Sequence, residues 1–216
     1  KPRFYLLDEP IAHLDAKLKV SARTTLKKLA ASLGTTIIYV THDWKEALAL
    51  SDRILILRKG RIVQIDEPDT IYTLPKDDFV ARLIGEPPIN LLDGELDEND
   101  GKGTYVYDEN IRFPLSAEMT QKARKVAREE GGKRFVRMGI RPDYVKVGKE
   151  KVSEASFKLP IYAVEQETDR SIVTFELRDA FFLATTEHRV NWKIGDEVWV
   201  NLDTSAAYFF EKTIEI

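Results

Sequence analysis

The chain has 216 residues, 33 basic and 36 acidic side chains, a formal charge of −3 and 43% hydrophobic content. That length suits one large domain or two small ones with a sizeable core, and the balanced charge gives no electrostatic reason to expect nucleic acid. There is no cysteine, which excludes disulfides and thiolate metal sites. The three histidines, His13, His42 and His188, are too scattered to suggest a zinc centre. No apolar run reaches the length needed to span a bilayer and no signal-peptide pattern is visible, so membrane association is expected through a partner.

Phe4-Tyr5-Leu6-Leu7 is an apolar run that ends abruptly in Asp8-Glu9-Pro10. A parallel strand covered on both faces reads this way. Leu14-Asp15 follows, with Asp15 as a helix N-cap. Leu18, Ala22, Leu26, Leu29 and Leu33 then recur at three- and four-residue spacing, one apolar stripe stopped by Gly34. Residues 35–40 are β-branched and aromatic, hence a second strand, ending in Thr41-His42-Asp43. Asp43 and Glu46 have the spacing of a capping box, which predicts a short helix to about Leu50. Residues 53–57 form another apolar strand. Lys59-Gly60 turns the chain, and residues 62–65 return antiparallel. Pro68 suits the first turn of a short helix, and Phe79, Val80, Leu83 and Ile84 mark another, ended by Gly85. Strands alternating with helices predict a mainly parallel sheet with an antiparallel edge. In such sheets ligands sit outside the carboxyl ends of the strands, which is where Asp8, Glu9 and His42 fall.

At Glu86-Pro87-Pro88 the composition shifts, which reads as a domain boundary. Beyond it short strands are predicted at 90–96, 103–107, 111–113, 134–140, 145–147, 157–165, 171–177, 181–187 and 197–202. One helix is capped by Ser116, with Met119, Ala123, Val126 and Ala127 on one face and Gly131-Gly132 at its end. Short strands at regular spacing argue for a small barrel. The aromatics of this half (Tyr162, Phe175, Phe181, Phe182, Trp192, Trp199, Tyr208, Phe209 and Phe210) are expected to fill its core rather than stack on bases, because no basic run accompanies them. Arg141-Pro142 reads as a structural strand exit.

Asp8-Glu9-Pro10, Leu14-Asp15 and Thr41-His42-Asp43, in this order, resemble the ATPase subunits of ATP-binding cassette (ABC) transporters from the Walker B strand onward. Gly139-Ile140-Arg141-Pro142 and the closing Gly195-Asp196 strand resemble the TOBE-type tail of importer ATPases, especially those of sugar importers. The resemblance implies an α/β fold, a partial RecA-like (P-loop NTPase) sheet, over residues 1–86. An all-β OB-fold-like TOBE regulatory domain follows over 87–216. It implies ATP and Mg²⁺ as cofactors, with Asp8 helping to hold the metal and Asp15 in the loop that crosses to a second ATPase subunit. Glu9 would orient the attacking water and His42 would contact the γ-phosphate. Phosphoryl transfer needs those parts: a metal to neutralise phosphate charge, a group to position water, and a donor where charge develops. The implied partners are a second copy, transmembrane permease subunits and, indirectly, an extracytoplasmic solute-binding protein, at the cytoplasmic face of the membrane and without nucleic acid.

The chain also departs from that family. Ala12-His13 and Trp44 stand where other residues are usual. No Gly-x-x-x-x-Gly-Lys-Ser/Thr occurs, and Gly101-Lys102 and Gly148-Lys149 lack its flanking residues. The signature and Q-loop segments, which precede Walker B in the family, are absent too. The sequence therefore reads as a C-terminal fragment expected neither to bind nor to hydrolyse ATP appreciably by itself. Three functions remain open: a transport motor, with import of a sugar or related solute or else of polyamine, sulfate or iron; a soluble cassette ATPase of translation or repair, which normally lacks such a tail; and a regulatory or ligand-sensing module.

Overall fold

The computed structural model describes residues 2–99, 102–153, 155–178 and 180–212. Gly101, and the outer ends of the two expected domains at residues 1 and 213–216, lie outside the described residues. The chain divides into two units, Lys1–Lys76 and Asp77–Ile216. The division therefore falls before Asp77 rather than after Glu86.

In the first unit β1 (Phe4–Asp8) leads to α1 (Ala16–Leu33), β2 (Thr36–Val40) and α2 (Trp44–Leu50). β3 (Ile54–Arg58), β4 (Arg61–Asp66) and α3 (Pro68–Thr73) complete it. The helix ends follow the sequence signals. Asp15 caps α1 by accepting from the Leu18 N–H at 2.9 Å, and Gly34 stops it in the left-handed conformation at φ 56°. Lys59 and Gly60, at φ 48° and 75°, make the tight turn between β3 and β4. The expected mainly parallel sheet is not what forms. β1 and β2 pair parallel, with Asp8 opposite Val40, and β3 and β4 pair antiparallel, as two separate two-stranded sheets. Nor are the faces of β1 and β2 both covered. Phe4, Leu6, Ile38 and Val40 are exposed, and the pattern alternates along both strands. In α1, Leu18 and Leu29 also lie outside the packed face, which runs instead through Lys19, Ala22, Arg23, Leu26, Ala30 and Leu33.

The second unit opens with α4 (Asp78–Leu83), held to its own unit by Arg137, which bonds Asp78 at 2.5 Å and Asp93 at 2.7 and 2.9 Å. Beyond α4 the strands run closely together: β5 (Asn90–Asn99), β6 (Lys102–Val106) and β7 (Arg112–Leu115) precede α5 (Ala117–Val126). β8 (Arg128–Glu130), β9 (Lys133–Ile140), β10 (Val145–Gly148), β11 (Phe157–Gln166), β12 (Ser171–Leu177), β13 (Ala180–Thr185), β14 (Glu197–Leu202) and β15 (Tyr208–Phe210) follow. Gly131-Gly132 does not end α5 as expected; it turns β8 into β9, at φ 60° and 77°. All pairings here are antiparallel, in a five-stranded sheet ordered β10-β14-β11-β12-β13 and a six-stranded one built on β15-β9-β5-β6-β7.

One apolar cluster joins the two sheets: Phe113, Val136 and Met138 from one meet Phe157, Phe175 and Val200 from the other. The Asn90 side chain imitates a peptide group between them. Its amide donates to the Leu183 carbonyl at 2.8 Å, and its oxygen accepts the Leu183 N–H at 2.7 Å. α5 contributes Met119 and Ala123 to the same cluster, and it approaches β6 so closely that a Cβ at Gly103 would lie 2.3 Å from the Thr120 hydroxyl. Phe175, Phe182 and Phe210 are core residues as expected, whereas Tyr162 and Phe181 form an exposed ring pair. Arg141 is a structural residue: it is buried, donates to the Ile84 carbonyl at 2.7 Å and lies over the Tyr208 ring. This unit is rich in curled sheet and packs one face of a helix, α5, against its core.

Candidate functional site

The parallel register of β1 and β2 places their carboxyl ends side by side. Immediately beyond them the Glu9 N–H donates to the Val40 carbonyl at 2.9 Å, which extends the pairing by one step. Glu9 sits at φ 44°, a left-handed conformation uncommon for a residue with a side chain. Such strain persists only where the surroundings hold it, and it gathers at functional positions. From there Glu9 Oε1 lies 2.8 Å from His42 Nδ1. A carboxylate only accepts, so Nδ1 carries the proton in this contact. The Glu9 hydrogen bond and charge raise the His42 pKa above its ordinary value, while the Lys19 ammonium opposes them. Both side chains are open to solvent, at 74% for His42 and 45% for Glu9. The pair adds little stability in itself, but its polar atoms can reach a ligand.

Asp8, the last residue of β1, is exposed next to Glu9. Its carboxylate is the hard oxygen donor that Mg²⁺ prefers. Among the described residues no group of three or more His, Cys, Asp or Glu side chains could hold a metal. Asp8 by itself offers one such oxygen donor at the end of β1. Asp15 stands apart: its carboxylate is occupied with the N-terminus of α1, and no hydrogen bond links it to Glu9 or His42 among the described residues.

Behind the pair lies a polar cluster that the sequence did not reveal. Glu46, 1% exposed, accepts from the Tyr39 and Thr41 hydroxyls, both at 3.0 Å, and meets the Lys19 ammonium at 3.1 Å. Lys19 also reaches Asp43 at 3.3 Å. Asp43 caps α2 through the N–H groups of Lys45 and Glu46, and half of the expected capping box is thus present. The other half is replaced: the Asp43 N–H goes to the Thr41 hydroxyl at 3.0 Å, not to Glu46. Hydrogen bonding to Glu46 raises the Lys19 pKa, whereas burial and then Glu46 raise that of Tyr39. The spacing of Asp43 and Glu46 gave the cap; a lysine on the packed face of α1 was the available hint that a buried acid would meet it.

No family model matches the chain. Known proteins do. The trehalose/maltose import ATP-binding protein MalK of Thermococcus litoralis is 35% identical over 99% of this chain and 56% of its own length. The xylose/arabinose import ATP-binding protein XacK of Haloferax volcanii is 33% identical over 97% and 53%. The oligosaccharides import ATP-binding protein MsmX of Bacillus subtilis is 33% identical over 99% and 57%. This chain is a homologue of the ATP-binding proteins of ABC importers. The match runs through both units, and the chain spans about half the length of the curated relatives it matches. One solved structure, the cytoplasmic molybdate-binding protein ModG with molybdate bound, aligns with 56% of this ABC homologue and 95% of its own chain. At a TM-score of 0.42 and 11% identity that likeness carries no argument. No described helix is long and apolar enough to cross a membrane.

Proposed function

We propose that residues of the first unit form part of the nucleotide-hydrolysing centre of an importer ATPase, and that Glu9 and His42 are its working pair. The observation that carries this reading is the 2.8 Å contact between them at the adjoining ends of two parallel strands. Glu9 would accept a proton from, or align, the attacking water, and His42, as the doubly protonated imidazolium, would hold Glu9 in place through Nδ1–H while its Nε2–H donates to the terminal phosphate of ATP. Asp8 would hold Mg²⁺, and that ion would supply the positive charge that phosphoryl transfer requires. Asp15 would face a second ATPase subunit.

The second unit we read as an OB-type TOBE tail that serves dimerisation and regulation, with permease subunits as further partners and a solute-binding protein engaged indirectly. The protein would work peripherally, at the cytoplasmic face of the membrane. The sugar cargoes for which the three relatives are named favour a sugar or a related solute over polyamine, sulfate or iron as the imported cargo. The test is Mg-dependent ATP turnover by the protein carrying these residues. Glu9→Gln is expected to lower turnover by roughly 10²–10⁴-fold while nucleotide still binds. Unchanged turnover in that variant overturns the assignment.

A further inference from the structure

Glu46 has no place in the chemistry just described, yet it is a buried charged side chain directly behind that site. Its contacts close a ring. The Thr41 hydroxyl donates to Glu46, Glu46 meets Lys19, Lys19 meets Asp43, and the Asp43 N–H returns to the Thr41 hydroxyl. His42 is the residue between Thr41 and Asp43. The ring draws on α1 through Lys19, on α2 through Glu46, and on β2 through Tyr39, which braces Glu46. His42 itself is too exposed for packing to fix its rotamer, so its direction depends on the backbone that carries it.

We propose that Glu46, with Lys19, is a positioning residue: the pair immobilises both neighbours of His42 and so aims its imidazole at Glu9. Its bearing on catalysis rests on the hydrolytic reading above; its geometric content does not. A helix cap by itself would need only Asp43 and the first turn of α2. The ring adds a second tie, on the other side of His42. Charges facing His42 come from Glu9 beyond β1, Lys19 on α1 and Asp43 at the start of α2. A positional effect must therefore be separated from a change in local field.

The test is the ring ¹⁵N spectrum of His42 in this chain, at a pH where the imidazole is neutral. In the unmodified chain the proton is expected on Nδ1, because Glu9 can only accept. Thr41→Val opens the ring without altering charge and is expected to shift the proton toward Nε2; Thr41→Ser is expected to restore it. The charge-neutral double variant Lys19→Met/Glu46→Gln is expected to behave as Thr41→Val does. His13 and His188 serve as internal references. Persistence of the Nδ1–H form in folded Thr41→Val overturns the proposal. In the ATPase that carries these residues, Thr41→Val is expected to lower kcat by roughly 10²-fold with KM nearly unchanged. A tautomer shift without loss of kcat upholds the positioning and defeats the hydrolytic reading instead.

Discussion

The two units bury their apolar residues very differently. In the first, Ile11, Ile54, Ile56 and Ile71 are the buried hydrophobics among the described residues, while Phe4, Leu6, Ile38, Val40, Leu55, Leu57 and Ile62 stand open. In the second, residues from both sheets and α5 converge on one cluster. The first unit is organised around a polar ring and helix caps, the second around a packed interior. A packed interior responds strongly to lost volume. A polar ring responds to lost partners, since a buried donor or acceptor without one is costly.

The contrast can be broken by substitution. Phe175→Ala, at a fully buried ring of the second unit, is expected to cost about 3–5 kcal/mol in thermal unfolding. Leu6→Ala, at a residue 63% exposed, is expected to stay within about 0.5 kcal/mol. Equal costs would erase the distinction. Next in size is Glu46→Ala, which strands the Tyr39 and Thr41 hydroxyls. Its expected cost is about 1–3 kcal/mol, confined to the first unit by hydrogen exchange. Asp15→Ala removes the cap of α1 and is expected to cost about 1 kcal/mol, read as fraying of Leu18 and Lys19 amides.

The smallest effects are with pH, and they differ in sign. His42 has its folded pKa raised above 6.5 by Glu9. Its contribution is present in full below that value and is lost as pH rises through the folded pKa. Asp93 in the second unit has its pKa held below 3.8 by the Arg137 guanidinium, against burial. Its contribution is present above that value and is lost as pH falls through the folded pKa. Asp43 joins the acid-sensitive set: burial raises its pKa, but the Glu46 N–H and the Lys19 ammonium outweigh it. Chemical-shift titrations of His42 and Asp93 read both signs, and Glu9→Gln is expected to return His42 toward its ordinary midpoint.

Much of this was legible in the chain. Asp15, Gly34, Lys59-Gly60 and Ser116 act locally, through caps and turns, and each does in the structure what its residue type predicts. The nearness of Glu9 and His42 followed from two strand ends in sequence order. What failed depends on distant partners. An apolar run such as Phe4-Tyr5-Leu6-Leu7 does not say whether its faces are covered, and the stripe through Leu18 and Leu29 fits more than one helix face. Glu46 reads as a capping partner because the spacing is the same whether its carboxylate turns back to Asp43 or inward to Lys19. β15 is too short to announce itself, and Gly131-Gly132 serves equally well as a helix stop or a hairpin turn.

The most direct test of the Glu9–His42 pair is a double-mutant cycle on Mg-dependent ATP turnover in the protein that carries them. His42→Ala is expected to cost roughly 10²-fold or more in the native background and little in the Glu9→Gln background, because the two act as one unit. Losses that multiply independently would contradict the pairing on which the proposed hydrolytic site is built.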